Sequence, residues 1–195
     1  MRKAIKLDNS RVLADNLKYQ VNNSVNNRKI SDIILKEQKG FCAYTDEYIS
    51  RTDARDIEHF NPTFKDTVND DYQNWFVVKH QWNKEKSDKW EKHQPILNPT
   101  ANDFEDRIVY LEGDYVVKAG NDQHAKNLIS FLKLDDPGLA DKRKKYIGRK
   151  RKEIELSGLS PLKYFAILLD DDICQVSYTR AVNEEFGVDL WNLID

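Results

Sequence analysis

Apolar residues in this chain recur mostly at three- and four-residue spacing, in many short groups. That spacing suits amphipathic helices, each burying one stripe. One stretch departs from it. RIVYLEGDYVVKAG carries two β-rich runs on either side of Glu112-Gly113-Asp114, the pattern of a hairpin. The expectation is therefore an α+β chain in which helices dominate and strands are few.

Local signals place the elements. Ser10 is a favoured N-cap, because its hydroxyl accepts a free N–H of the first turn. Leu13, Leu17 and Val21 follow at four-residue spacing, which predicts a helix over RVLADNLKYQV. RKISDIILKEQKG predicts a second helix, stopped at Gly40. FCAYTDEYI reads as a short hairpin or turn. From about Asp71 the pattern turns helical, with Trp75, Val78 and Trp82 on one stripe. Beyond the hairpin, AKNLISFLKL, GLADKRKKYIGRKRKEIEL, LKYFAILLDDD and SYTRAVNEEFGVDLW all carry helical spacing. The tryptophans and the stripe Leu162, Phe165, Ile167, Leu168 are expected in the core.

A length of 195 residues suits one domain, or a compact core with a helical appendage. The expected division is residues 1–37 as N-terminal helices, 38–95 as a central unit, and 96–195 as the hairpin and C-terminal helices, all in one compact body. With 39% apolar and 33% charged residues, the composition is globular, not disordered. No apolar run approaches the ~20 residues that span a bilayer. MRKAIKLDNS lacks the apolar centre of a secretory signal. Cys42 and Cys174 stand far apart, which with no sign of export predicts a reduced, cytoplasmic setting without membrane contact. The net charge of −2 hides an asymmetry. KRKKYIGRKRK, from Lys142 to Lys152, holds eight bases and no acid, while the chain beyond it balances at −7. Lys142, Arg143, Lys145, Arg149 and Lys150 are thus candidates to grip a nucleic-acid backbone, against the alternative of a solvated helix face.

The chemistry concentrates in DIEHFNP, residues 56–62. Glu58 and His59 are adjacent, and Asn74, Asn83 and Lys86 follow. A carboxylate beside a histidine, with a helix bearing an amide oxygen, can hold one divalent ion next to one base. Hard cations such as Mg²⁺ prefer oxygen ligands and keep several waters. A neutral imidazole takes a proton from water near pH 7, and a nearby lysine can neutralise a phosphate. Adjacent residues on a regular strand point to opposite faces, so Glu58 and His59 can share an ion only if the chain bends. Asn61-Pro62 supplies a reason for a bend. His80 is either a further ligand or a packing residue, and Asp56 either a hydrogen-bond partner behind the site or a surface charge.

IEHFNP, YQNWFVV and WNKEK, in that order, resemble the HNH endonuclease family. The resemblance implies a ββα-metal core embedded in a predominantly helical domain. It makes His59 the general base and Glu58 and Asn83 the ligands of Mg²⁺, with Mn²⁺ as the alternative. Asn74 would pin the loop between the strands and the helix, and Lys86 would face the phosphate backbone. Where relatives carry two zinc knuckles, this chain has Cys42, Thr45, Lys79 and Trp82. One thiolate cannot make a tetrahedral zinc site, so no structural zinc is expected, and packing by Tyr44, Trp75 and Trp82 is expected in its place. PILNPTANDFEDRIVYLEGDYVV and NLISFLKLDDPGLADKRKKYI extend the likeness, over about residues 38–152, to the PtuB nuclease subunits of Septu-type and retron-linked antiphage systems. That branch implies a PtuA-like ABC-type ATPase oligomer as partner and DNA as substrate. A ribonuclease acting on transfer RNA, and a catalytically silent binding module on the same scaffold, stay open as alternatives.

Overall fold

The computed structural model describes residues 1–86 and 88–194. Helix α1 (Arg11–Ala14) begins where Ser10 Oγ accepts the Val12 N–H at 3.1 Å. It ends after one turn because Asn16 takes a left-handed backbone, φ 48°, which asparagine tolerates better than most residues. The helix expected through Val21 therefore stops early, and residues 15–23 run as a loop. Helix α2 (Ser24–Glu37) is capped by Asn23 and buries Ile30 and Ile34. Beyond it, Gly40 turns the chain at φ 86°. Its missing side chain matters there, since a Cβ would lie 2.6 Å from the Tyr48 ring. Phe41 and Tyr48 form an isolated antiparallel bridge, as FCAYTDEYI suggested.

Strands β1 (Arg55–His59) and β2 (Trp75–Lys79) pair antiparallel, with Glu58 opposite Phe76 and His59 opposite Trp75. Helix α3 (His80–Glu85) follows β2 directly. This overturns the helix expected from Asp71 onward, because WFVVK is a strand. Aromatic and β-branched residues suit a pleated surface. Trp75 through Val78 are buried on both faces of the strand, so the alternation that betrays a strand is missing. The spacing of Trp75, Val78 and Trp82 then imitates a helical stripe.

Helix α4 (Phe104–Arg107) leads into the hairpin of β3 (Ile108–Leu111) and β4 (Asp114–Val117). Glu112 and Gly113 both have positive φ, 46° and 92°, as a two-residue hairpin turn matched to strand twist requires. Helices α5 (Gln123–Leu132), α6 (Pro137–Ser157) and α7 (Pro161–Asp171) start at side-chain caps from Asp122, Asp136 and Ser160. Gly187, φ 66°, splits the last predicted helix into α8 (Thr179–Phe186) and α9 (Leu190–Leu193).

The class is α+β, with small antiparallel sheets among many helices. One buried cluster joins Met1, Ile34, Trp75, Phe131, Phe165 and Leu190, so all three stretches of sequence share a core. Trp75 and Tyr44 are fully enclosed in it, and the buried Trp82 donates from Nε1 to the Leu132 carbonyl at 3.0 Å. On α7 only Phe165 is fully buried. Leu162 and Ile167, expected in the core, are 55% and 52% exposed. Among the described residues, no helix is long and apolar enough to cross a membrane.

Candidate active site

His59 ends β1, in register with Trp75. The residue is buried, 8% exposed. The Tyr19 ring meets it edge-on, with centroids 4.7 Å apart. Nε2 is enclosed and lies 3.3 Å from Asp70 Oδ2 without a hydrogen-bonding geometry. Asp70 is itself held by the Trp75 indole, which donates to its other oxygen. A carboxylate beside Nε2 favours the tautomer protonated there. Nδ1 is then the nitrogen left for a reactant. Burial pulls the imidazole below its ordinary pKa, and Asp70 opposes that pull. The ring is therefore neutral near pH 7, as a general base must be.

Glu58 and Asp56 share a strand face, being two residues apart. Glu58 is enclosed: Tyr44 donates its hydroxyl to one oxygen and Lys86 its ammonium to the other. Burial raises this carboxyl, and the Lys86 ammonium pulls it back down. Lys86 also donates to the His59 carbonyl at 3.0 Å. Its expected turn toward the phosphate backbone is thus not the arrangement seen, since Nζ lies inward on Glu58. Asp56 faces α3. Its Oδ2 accepts from Asn83 Nδ2 at 2.9 Å and meets His80 Nδ1 at 2.8 Å. Asn83 and Lys86, one turn apart on the following segment, therefore meet Asp56 and Glu58 one to one. The acid beside Asn83 is Asp56, not Glu58. The bend anticipated between Glu58 and His59 does not occur, because β1 keeps its pairing through His59 and turns only afterwards.

Asn74 precedes β2. Its Oδ1 accepts the Asn61 N–H at 2.8 Å, and its Nδ2 donates to the Asn61 carbonyl at 3.0 Å. It pins a loop as expected, but the loop is the one joining β1 to β2, just after His59. Asn74 does not border the cavity that holds the other site residues.

That cavity encloses about 630 Å³. Asp56, Glu58, His59, Asn83 and Lys86 line it from the β1–β2–α3 unit. Ser24, Asn27, Arg28 and Ser31 of α2, with Tyr19, line it from the N-terminal segment. Tyr44, expected only as packing, proves also to donate to Glu58, while Tyr19 and Asp70 carry no sequence signal, because each arrives from a loop. Asp56 did carry one: its two-residue offset from Glu58 puts both on one strand face.

Among the described residues no three His, Cys, Asp or Glu side chains converge as a metal cage would require. The donors present are hard oxygens, on Asp56, Glu58 and Asn83, and Asn83 Oδ1 accepts no hydrogen bond from the described residues. That donor set suits a Mg²⁺-type ion, which takes one or two carboxylates and retains water. Cys42 is buried, and its sulfur accepts the Lys79 N–H at 3.4 Å.

The basic run lies on α6 and divides by face. Arg143 is fully buried between the Tyr115 and Tyr178 rings and donates to the Gly113 carbonyl. Lys150 is buried too, 3.1 Å from Glu153 Oε2 and 3.3 Å from the Tyr164 hydroxyl. Neither is free for a substrate, which corrects that expectation: a helix packed along one side must send some of a charge run inward. Lys142, Lys145 and Arg149 are exposed, with Lys145 paired to Asp141 at 2.6 Å. Set beside protein-family models, curated proteins and solved structures, the chain matches none of them.

Proposed function

We propose that the β1–β2–α3 unit is the ββα-metal core of an HNH endonuclease. In this reading the chain hydrolyses phosphodiester bonds of DNA, in the cytoplasm, as the effector of an antiphage complex with an ABC-type ATPase oligomer. The observation that carries it is His59. A neutral imidazole with an acid at Nε2, and with no hydrogen-bond partner at Nδ1 among the described residues, borders the same cavity as Asp56, Glu58 and Asn83. A silent scaffold has no physical need for that combination.

His59 Nδ1 takes a proton from a water molecule. The water oxygen forms a bond to phosphorus as the bond from phosphorus to the 3′ oxygen breaks. Asn74 keeps the connection after His59 in place, and Tyr19 and Trp75 restrict the ring's rotation. A divalent ion would be held by Glu58 and Asn83, with Asp56 beside Asn83, in the cavity that Glu58 and His59 both border although β1 does not bend between them, and it would stabilise charge at the phosphate and the leaving oxygen. Lys86 balances the charge of Glu58.

The test is cleavage of plasmid DNA in Mg²⁺ or Mn²⁺, with transfer RNA in parallel, by the full chain and by His59→Ala. Loss of a general base is worth about 10²–10⁴-fold in rate, so the variant should lose at least about 100-fold while its thermal unfolding stays close to wild type. Undiminished cleavage by the variant removes His59 from the role of base. Cleavage of RNA alone moves the substrate class.

A further inference from the structure

The cavity wall facing away from β1 is built by α2. Ser24, Asn27, Arg28 and Ser31 fall at positions i, i+3, i+4 and i+7, one stripe of a helix, and all four border the cavity. Ile30 and Ile34, on the adjacent face, enter the core.

This wall is tied to the site. Asn27 clamps the Gln20 backbone, accepting its N–H at 3.0 Å and donating to its carbonyl at 2.6 Å. Asn26 donates to the Lys18 carbonyl. Tyr19, held between these anchors, meets His59. Arg55, in β1, donates to Ser31 at 3.3 Å and pairs with Asp32.

The cations at the cavity differ in their commitments. Arg55 is spent on Asp32 and Lys86 on Glu58. Arg28 and Lys65 are exposed and have no carboxylate partner among the described residues, and Lys65 Nζ lies 5.7 Å over the Tyr19 ring. On α6 the run is weaker than its count suggests. Two of its bases are buried, Lys145 and Arg151 pair with Asp141 and Glu185, and among the described residues none from α6 borders the cavity.

We propose that Arg28 and Lys65 hold the phosphate backbone of the DNA substrate on either side of the bond presented to His59. Helix α2 and the β1–β2 connection, and not the basic run of α6, are then the substrate-binding elements. The proposal rests on the nuclease reading and deepens it.

The test reads binding, not cleavage. The full chain carrying His59→Ala is titrated in Mg²⁺ against a fluorescein-labelled DNA duplex over a salt series. It is compared with the same chain also carrying Arg28→Gln and Lys65→Gln, and with one also carrying Lys142→Gln, Lys145→Gln and Arg149→Gln. Each phosphate contact contributes about one to the slope of log K against log salt. The Arg28/Lys65 pair should therefore lower that slope by about two and weaken binding about tenfold or more. Arg28→Lys with Lys65 intact should restore most of it, and the α6 variant should stay near its parent. Arg28, Lys65, Lys142, Lys145 and Arg149 are all exposed, so these added substitutions should leave the fold of the His59→Ala parent standing, with thermal unfolding as the check. An unchanged slope in the Arg28/Lys65 variant, a loss confined to the α6 variant, or no binding by the parent overturns the proposal. If His59-dependent cleavage is observed alongside such a result, the nuclease reading survives and the binding assignment alone falls.

Discussion

Asp70 reaches His59 from the far end of the β1–β2 connection and touches Nε2 at 3.3 Å. Burial lowers the imidazole pKa and this carboxylate raises it. The active base is the neutral ring, so the acid limb of a pH–rate profile should lie below the ordinary histidine value of about 6.5. Asp70→Asn removes the raising charge and keeps an acceptor for the Trp75 indole. That limb should then move to still lower pH, and the rate at neutral pH should fall as the favoured tautomer is lost. An unmoved limb would detach Asp70 from the base. The linked stability has a definite sign. As pH falls below about 6.5 the unfolded chain protonates His59 before the folded one does, so this residue's contribution to stability is lost with acid. His59 and Asn83 stand out in the sequence by residue type as a candidate base and a candidate amide ligand, while Asn74 is marked only by the resemblance to the HNH family; the structure places His59 and Asn83 on one cavity and Asn74 on the Asn61 backbone. Arg143 and Lys150 were misread, since a charge run does not reveal which side of its helix meets the Tyr115 and Tyr164 rings.

Among the elements, α8 depends on a residue more than a hundred positions away. It has no side-chain cap of its own, because Tyr178 precedes it in a left-handed conformation, φ 58°. Asp46 supplies the cap instead, accepting Thr179 Oγ1 at 2.9 Å and the Arg180 N–H at 3.0 Å, both in buried surroundings. A buried donor left unpaired costs about 1–3 kcal/mol. Asp46→Ala, which strands two, should lower stability by about 2 kcal/mol or more, and Asp46→Asn by less. Urea unfolding followed by circular dichroism measures both, and equal stability of all three proteins would remove Asp46 from the capping role. The same locality explains what was readable. Helices α5, α6 and α7 carry their own caps and their own apolar spacing, so the spacing alone locates each of them to within one or two residues of its start. For β2 the pairing with β1 and the cover on both faces come from elsewhere in the chain, and α1 is stopped by a single asparagine whose backbone nothing in the spacing announces.

At the scale of the whole molecule, the first residues are part of the core. Met1, Val12 and Ile30 are buried with Trp75 and Leu190, and Arg180 donates to the Met1 carbonyl at 3.2 Å. Lys6 fastens this segment behind β2. Its ammonium donates to the Trp75 carbonyl and lies 4.4 and 4.1 Å from the Tyr72 and Phe76 ring centroids. Burial draws its pKa down to about 7, against the raising pull of Glu37, Asp71 and Glu58. The unfolded lysine keeps its proton to about pH 10.4. Between these values the unfolded chain binds the extra proton, so this residue makes folding more favourable as pH rises, by up to about 1.4 kcal/mol per unit. Below pH 7 both states hold the proton and the dependence fades. Lys6→Met fills similar space without a titrating group. Unfolding free energies of the two proteins, measured in urea from pH 7 to 9, should diverge steadily in favour of wild type. A constant difference across that range would mean that the folded lysine keeps its charge, and that solvent or the three nearby acids, not the rings, govern how the N-terminal segment is held.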